Sequence, residues 1–365
     1  MGLPAIAMVP QVEDAPGDRF IRIGALAKRA REAAFRSGRV QEVMSTSDFT
    51  FMADLIDRGT TVSYLDETVP ITYPALGKRR DTTTLARAGS GHGVDYQLNA
   101  ARLVPQVNEG GEYLSIDPSD ASFEAHTYKY GCSWSLTWEA WLSDNRDLGI
   151  LMDYPQSFGL SARYTQQYLF TDKYCNSATL FTGAHGNYMS GAGSQLDGTN
   201  LATAISAIRH FADPAGNVSV YTGPLYLVVP DSLEYTARPL VESTVVTTGT
   251  AAALPANNPV FRSVNVIVDP FLEAVSDANA TTAWYLFADP RFRPALRYGF
   301  LRGYETPGVY VREGDARPLM GGGGVDPFDG DFLSDEIEFK LRFTFGVDEA
   351  DWRGGYKSTG EAEAE

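Results

Sequence analysis

Apolar residues recur at helical spacing in two stretches of the chain, and capping residues mark the start of two more, so four helices are predicted. The four stretches are Phe20 to Gly38, Pro155 to Cys175, Asn200 to Phe211 and Leu233 to Glu242. Short polar residues precede the last two, where a helix needs acceptors for its first N–H groups. The expected N-caps are Thr199 or Asn200 and Asp231 or Ser232.

Apolar and polar residues alternate in two other long segments, Phe123 to Trp138 and Glu336 to Val347. A period of two is typical of a strand with one buried face. Pro224 to Val229 is continuously apolar and predicts a strand buried on both faces. Shorter strands are expected at Thr60–Leu65, Tyr113–Ile116, Val264–Val268, Trp284–Phe287, Leu296–Leu301 and Val309–Val311. Helices and strands mixed without a regular βαβ rhythm predict an α+β fold.

Polar, glycine-rich segments separate these elements. The longest begins near Gly77 and runs to Gly93, and it is too charged to form a core of its own. We expect it to project from the body of the protein as a long loop. Gly321 to Gly324 is a flexible connector, and Lys357 to Glu365 is an acidic tail.

The composition describes an ordered, acidic protein of 365 residues with 44% hydrophobic residues and a formal net charge of −16. This length allows two or three core-forming units. The charge argues against tight, sequence-reading binding to nucleic acid, which needs clustered Lys and Arg. The one basic cluster lies on the polar face of the Phe20–Gly38 helix. It is either a solvated face, an arm docked on acidic neighbours, or a contact to DNA or an acidic scaffolding partner.

No apolar run reaches the length of a membrane span, and no basic region precedes the short apolar stretch after Met1. We therefore expect a protein that is neither exported by a signal peptide nor embedded in a membrane. Cys132 and Cys175 are far apart in sequence and show neither metal-binding nor redox spacing. Both are expected to be buried as small apolar residues.

Residues that could carry catalysis are few. The four histidines, His92, His126, His185 and His210, lack the spacing of a zinc site, and no Gly-x-Ser-x-Gly motif is present. The run Gly321–Gly324 is not followed by the Lys and Ser or Thr of a phosphate-binding loop. Asp326, Asp329, Asp331 and Asp335 could together coordinate calcium, which clustered carboxylates favour. Their spacing misses the EF-hand pattern, so a solvated acidic loop is the better interpretation. We assign no catalytic, cofactor-binding or metal-binding residue.

Several motifs in the second half of the chain together resemble the major capsid proteins of tailed bacteriophages, in particular the Mu-like head subunit family. The first group is His185–Tyr188 with Ser190–Ser194, followed by Tyr226–Pro230 with Leu233, Glu234 and Thr236–Arg238. The second group is Ala283–Pro290, Phe300, Leu301, Gly303, Tyr304–Pro307 and Asp351–Gly354. The resemblance covers roughly residues 120–359.

The resemblance implies a Hong Kong 97-type capsid fold, with an N-terminal arm, an extended loop, a peripheral domain with a spine helix, and an axial domain. The order of the elements places the arm at residues 1–46, the extended-loop region at 47–134, the peripheral domain at 135–199, the axial domain at 200–325, a return strand of the peripheral domain at 326–357 and a disordered acidic tail at 358–365.

The implied function is structural rather than enzymatic. Subunits assemble with themselves into pentamers and hexamers of an icosahedral head that encloses double-stranded DNA without sequence-specific binding. Implied partners are a portal, a scaffold or maturation protease, and decoration proteins. The implied location is the virion, assembled in the host cytoplasm. Some relatives crosslink Lys to Asn between subunits, and the available residues are Lys78 and Asn176.

Three alternatives stay open at the level of sequence. An encapsulin-like nanocompartment shell has the same fold and encloses an enzyme. An enzyme of unrecognised class would have to use Asp and Glu pairs, because His and Cys are scarce. A tail or decoration component would form rings or tubes instead of closed shells.

Overall fold

The computed structural model describes residues 64–65, 70–86, 93–98, 106–107, 120–137, 149–212, 221–246, 256–258, 260–275, 279–312 and 336–361. Helices and strands mix along the described chain, which confirms the α+β prediction. The helices are α1 (Tyr73–Leu76), α2 (Gly149–Cys175), α3 (Gly198–His210), α4 (Glu234–Glu242) and α5 (Phe271–Val275). Within these residues, no helix is long and apolar enough to cross a membrane.

The strands are β1 (Gly77–Arg79), β2 (Gly93–Leu98), β3 (Asp120–Ala125), β4 (Tyr128–Thr137), β5 (Tyr188–Met189), β6 (Leu225–Val229), β7 (Val245–Val246), β8 (Ala256–Asn257), β9 (Asn265–Val268), β10 (Trp284–Ala288), β11 (Leu296–Gly299), β12 (Gly308–Val311), β13 (Glu336–Glu349) and β14 (Gly355–Ser358). They form two five-stranded sheets, and the pairs β2–β3 and β7–β8 each form a two-stranded sheet.

The first sheet is built around β13, which pairs with β4, β11 and β12 in antiparallel fashion, while β1 adds to β11 in parallel. Its longest ladder aligns Glu336 with Thr137 and Phe345 with Tyr128. Every second residue of β13 from Phe339 to Phe345 is buried: Phe339, Leu341, Phe343 and Phe345. The predicted strand is therefore confirmed, and it extends two residues further, to Glu349.

Two glycines let other chain segments cross this sheet closely. Gly299 of β11 and Gly346 of β13 face each other across the ladder. A Cβ on Gly346 would lie 1.7 Å from the carbonyl oxygen of His126, and one on Gly299 would lie 1.9 Å from that of Arg80. Any larger residue at either position would push the crossing backbone away.

The second sheet has the order β5-β14-β10-β6-β9, and every residue of its central strand β10 is buried. Trp284, Leu286 and Ala288 belong to a core shared with α3 and α4. Tyr285 and Phe287 point to the opposite face and join a core that contains residues of α2. A strand covered on both faces must be apolar throughout, which explains its continuous hydrophobic sequence.

Helix α2 joins the two sheets. Phe170 and Tyr174 on its buried face share one core with Tyr285 of the second sheet and with Leu341 and Phe343 of the first. Its 27 residues are more than the predicted five turns, since it begins at Gly149 and carries Pro155 within it. The sequence placed the start at Pro155 because proline favours the first turn of a helix.

Five other local predictions are wrong. Gly77–Arg79, expected in the projecting loop, form β1 of the first sheet. Ser358, expected in the disordered tail, ends β14 and is fully buried. The N-cap of α3 is Asp197, whose carboxylate accepts from the backbone N–H of Asn200 at 2.6 Å. Helix α4 has no side-chain cap, because the short 3₁₀ turn Asp231–Leu233 leads directly into it. Tyr64 and Leu65 are helical rather than part of a strand. The predictions for Phe20–Gly38, Tyr113–Ile116 and Gly321–Gly324 lie outside the described residues.

Candidate assembly surfaces

Two of the sequence motifs that are far apart in the chain meet around the buried side chain of Asn187. Its Nδ2 donates to the carbonyl oxygens of Leu180 at 2.8 Å, Trp352 at 3.0 Å and Gly355 at 3.2 Å. Its Oδ1 accepts from the backbone N–H of Thr182 at 3.1 Å. Buried polar groups need partners, so this amide fixes the loop after α2 to the loop before β14.

An aromatic stack closes the same junction. The ring of His185 lies 4.3 Å from that of Trp352 and nearly parallel to it, and the guanidinium of Arg353 lies 4.4 Å from the Trp352 ring. Arg353 also donates to the carbonyl oxygen of Ala212 at 2.7 Å. These contacts explain why the motifs around Asn187 and Trp352 occur together: they are two halves of one structural joint.

A buried carboxylate connects α2 to the end of β9. Asp269, fully buried, accepts through Oδ2 from Thr171 at 2.7 Å, Tyr174 at 2.9 Å and Gln167 at 3.1 Å, all on α2. Gln167 also donates to Thr72 Oγ1 at 2.7 Å and accepts from the Thr72 backbone N–H at 2.8 Å. The network therefore connects the chain before β1, helix α2 and the second sheet.

Burial raises the pKa of Asp269, and the hydrogen bonds from Thr171, Tyr174 and Gln167 oppose that rise. Burial also raises the pKa of Tyr174, and the adjacent Asp269 adds to the effect. The second carboxylate oxygen, Oδ1, accepts from the backbone N–H of Phe271 at 3.0 Å. Because the carboxylate is buried and both of its oxygens have partners, the site suits a structural joint rather than a reaction centre.

The outer face of α2 is free of charge over most of its described length. Ser157, Ser161, Tyr164 and Tyr168 are exposed along it, with Tyr164 47% and Tyr168 43% accessible. Between Asp153 and Asp172 the sequence holds a single charged residue, Arg163, and that residue is buried. The cores of protein interfaces are depleted in charge and rich in Tyr, so we call this face the α2 stripe and treat it as a candidate contact between subunits.

The hydroxyl groups beside the stripe are already bonded to their own helix. Ser161 Oγ donates to the carbonyl oxygen of Ser157 and Thr165 Oγ1 to that of Ser161, both at 2.7 Å. A neighbouring surface could cover them without leaving an unpaired polar group.

The family model described as phage capsid protein matches residues 121–358. The chain belongs to the phage capsid protein family. The match contains both halves of the Asn187 joint, helix α2 and both five-stranded sheets apart from β1.

Solved structures similar to this capsid protein come from other phages. Mycobacterium phage Adephagia gives 10% identity and a TM-score of 0.49, with 88% of this chain and 99% of that chain covered. The capsid of cyanophage P-SCSP1u gives 11% identity and a TM-score of 0.49, covering 79% and 88%. Mycobacterium phage Cain gives 12% identity and a TM-score of 0.48, covering 92% and 98%. No curated protein sequence matches significantly.

The family assignment rests on the sequence match over residues 121–358. It confirms the predicted resemblance to tailed-phage major capsid proteins, the capsid fold class and the role as a shell protein that assembles with itself into the virion. The encapsulin-like alternative is not favoured.

The histidines of this capsid protein that the structure describes have packing roles. His126 Nδ1 lies 3.0 Å from Asp348 Oδ1, and His210 Nδ1 lies 2.8 Å from the carbonyl oxygen of Ser206. His185 stacks in the Asn187 joint, and His92 lies outside the described residues. Over the described ranges, no group of three or more His, Cys, Asp or Glu could hold a metal. The acidic segment from Asp326 to Asp335 lies outside those ranges.

The prediction that both cysteines are buried is wrong for one of them. Cys175 is buried, but Cys132 on β4 is exposed although its partner across the ladder, Leu341, is buried. Strand β4 pairs only with β13 within the described residues, so its side chains lie at a rim of the core. Alternation correctly placed Cys132 on the same face of the sheet as the apolar residues of β4, but it could not show that β4 lies at the edge of the core.

The two residues considered for crosslinking are both accessible. Lys78 is exposed on β1, and Asn176 is exposed after α2, where its Nδ2 donates to Asp172 Oδ1 at 2.8 Å. A crosslink between these residues remains a prediction.

Proposed function

We propose that this capsid protein forms pentamers and hexamers that close an icosahedral head around double-stranded phage DNA. The α2 stripe carries the proposal. A face of exposed tyrosines and internally bonded hydroxyls, without charge, in a chain of net charge −16, is suited to burial against a neighbouring copy. Symmetric repetition of such contacts around closed rings stabilises a shell without any single strong contact.

The extended loop and the other domains are assigned by the order of the elements. The antiparallel pair β2–β3 falls within residues 47–134, and helix α2 falls within residues 135–199, where the spine helix is expected. The second sheet, with α3 and α4, supplies most of the axial domain at residues 200–325, and β13 supplies the return strand at 326–357. A two-stranded pair that cannot bury both faces alone would lie on a neighbouring subunit.

The remaining partners follow from the same role. A head of this kind is assembled in the host cytoplasm with a portal, a scaffold or maturation protease, and decoration proteins. The packaged DNA would meet an acidic protein and would be enclosed without sequence-specific binding. The role requires no catalytic residue.

Sedimentation velocity of the double variant Tyr164→Glu, Tyr168→Glu tests the α2 stripe. Both side chains are exposed, so the subunit should fold, but two carboxylates in each contact should shift the protein from shells to free subunits or capsomers. Ser206→Glu, exposed on α3, is the matched control and should assemble like the wild type. Unchanged assembly of the tyrosine variant would remove α2 from the interface. Protected double-stranded DNA in nuclease-treated particles from infected cells tests the genome-enclosing role.

A further inference from the structure

The face of the first sheet that points away from the core carries three cations. Lys340, Arg342 and Thr344 alternate on β13 with its buried residues, and Lys129 of β4 lies opposite Thr344. Among the described residues, Lys129, Lys340 and Arg342 make no ion pair. The acidic residues of this face, Glu336 and Glu338, lie at the start of β13, and Glu338 pairs with Arg312.

Arg342 lies in a cleft of about 290 Å³ on this face. Its guanidinium lies 4.3 Å from the ring of Tyr310 and 5.9 Å from that of Tyr304, and it donates to the Tyr310 hydroxyl. Both residues directly opposite Arg342 in the ladders are glycines, Gly131 and Gly308, and the Arg342 side chain is half-buried. We call this site the tyrosine–arginine cleft.

The chemistry of the cleft selects a carboxylate on a segment that also carries aromatic or proline residues. A guanidinium has several N–H donors in one plane and binds carboxylates through two of them. The tyrosine rings hold it in place at low entropic cost and offer apolar walls beside it. Lys340, whose Nζ is 5.8 Å from the Tyr310 ring, adds a second positive charge.

The connection between β12 and β13 contains a segment of that composition. Residues 325–336 read Val-Asp-Pro-Phe-Asp-Gly-Asp-Phe-Leu-Ser-Asp-Glu and combine five carboxylates with two phenylalanines and a proline. They belong to the connection between β12 and β13. That connection leaves the hairpin at Arg312 and returns at Glu336, beside the ion pair of Arg312 Nη1 with Glu338 at 3.0 Å.

The cleft lies at the other end of the same hairpin, where Gly308 pairs with Arg342. The hairpin thus has the cleft at one end and the complementary acidic segment at the other. This arrangement allows a head-to-tail contact, in which each copy binds the next. We propose that the tyrosine–arginine cleft of one subunit binds the acidic segment 325–336 of a neighbouring subunit. The inference rests on the proposed assembly of this protein into closed rings.

Photo-crosslinking in assembled shells tests the contact. p-Benzoylphenylalanine would replace Tyr304, whose ring is 53% exposed. Shells are first verified by electron microscopy and then irradiated. The expected product is a covalent dimer, with the crosslink mapped to residues 325–336. A crosslink within one chain, to DNA, or to another segment would overturn the proposal while leaving the capsid function intact. Failure to form shells in the unsubstituted protein would instead count against the proposed function.

Peptide binding tests the same contact without assembly. A fluorescent peptide of residues 325–336 should bind the full-length subunit and weaken as salt rises. Arg342→Glu should lower its affinity about tenfold or more, whereas Arg209→Glu, the same charge change on the exposed end of α3, should not. Arg342→Gln supplies the test if the reversal does not fold. Equal affinity for the wild type and the Arg342 variants, or no binding to the wild type, would contradict the proposal.

Discussion

Replacing Asn187 with alanine should destabilise the subunit by about 3 kcal/mol. Among the described residues, the side chain is the only partner of the Thr182 N–H and of the Leu180 carbonyl oxygen, which lie 3.1 and 2.8 Å from it. The Trp352 carbonyl keeps a second partner, since the backbone N–H of Gly355 also donates to it. At least two backbone groups, the Thr182 N–H and the Leu180 carbonyl oxygen, therefore lose their partner, at about 1–3 kcal/mol each.

The expected shift in melting temperature follows from the size of the chain. An unfolding entropy of about 2.1 cal/mol/K per residue gives roughly 0.8 kcal/mol/K for a chain of this length. A loss of about 3 kcal/mol then lowers the melting temperature of the unassembled subunit by about 4 °C. Calorimetry or urea unfolding of the subunit, kept below the concentration at which it assembles, measures this effect.

Two further variants distinguish the loss of the Asn187 hydrogen bonds from the general effect of replacing an asparagine. Asn176→Ala removes an exposed amide bonded only to Asp172 and should change stability by no more than about 0.5 kcal/mol. Asn187→Asp keeps the acceptor for Thr182 but brings a carboxylate oxygen towards the Leu180 carbonyl, so it should not restore stability. A melting temperature of Asn187→Ala within about 1 °C of the wild type would refute the reasoning.

Three further predictions concern buried groups. Since burial raises the folded-state pKa of Asp269 above 3.8, its contribution to stability should be greatest at low pH and lost as pH rises through the folded-state pKa. The melting temperature of the wild type minus that of Asp269→Asn should therefore fall as pH rises, and a rising difference would contradict this sign. Gly346→Ala should reduce stability by about 1–3 kcal/mol or more, because its Cβ would lie 1.7 Å from a carbonyl oxygen, whereas Gly183→Ala meets nothing within 4 Å and should be neutral in urea unfolding. Thiol titration of the folded subunit near pH 8 should show rapid labelling of exposed Cys132 and slow labelling of Cys175, whose pKa burial raises to about 12; equal rates would contradict the assignment.

Sequence patterns predicted those parts of the fold that depend on local periodicity. Strand β13 follows from strict alternation, and β6 from a continuous apolar run, because both patterns reflect which faces of a strand are covered. Caps were less predictable: Asp197, Thr199 and Asn200 are all competent, and only backbone geometry decides which one accepts the first N–H.

The joints between elements could not be derived from periodicity. Asn187 and Trp352 are 165 positions apart, and Asp269 binds α2 from 95 to 102 positions away. Such contacts depend on how the sheets pack around α2. The motif resemblance included both halves of the Asn187 joint, although it did not show that they are in contact. Nothing in the sequence marked Asp269 as the partner of residues on α2.

The most direct test of the capsid function is a three-dimensional electron cryomicroscopy reconstruction of purified, nuclease-treated particles of this protein. Closed icosahedral shells built from pentamers and hexamers, with the α2 stripe buried between neighbouring subunits, are the expected result. Subunits that remain monomeric with a scaffold and protease co-expressed, or that form only open tubes, would contradict it.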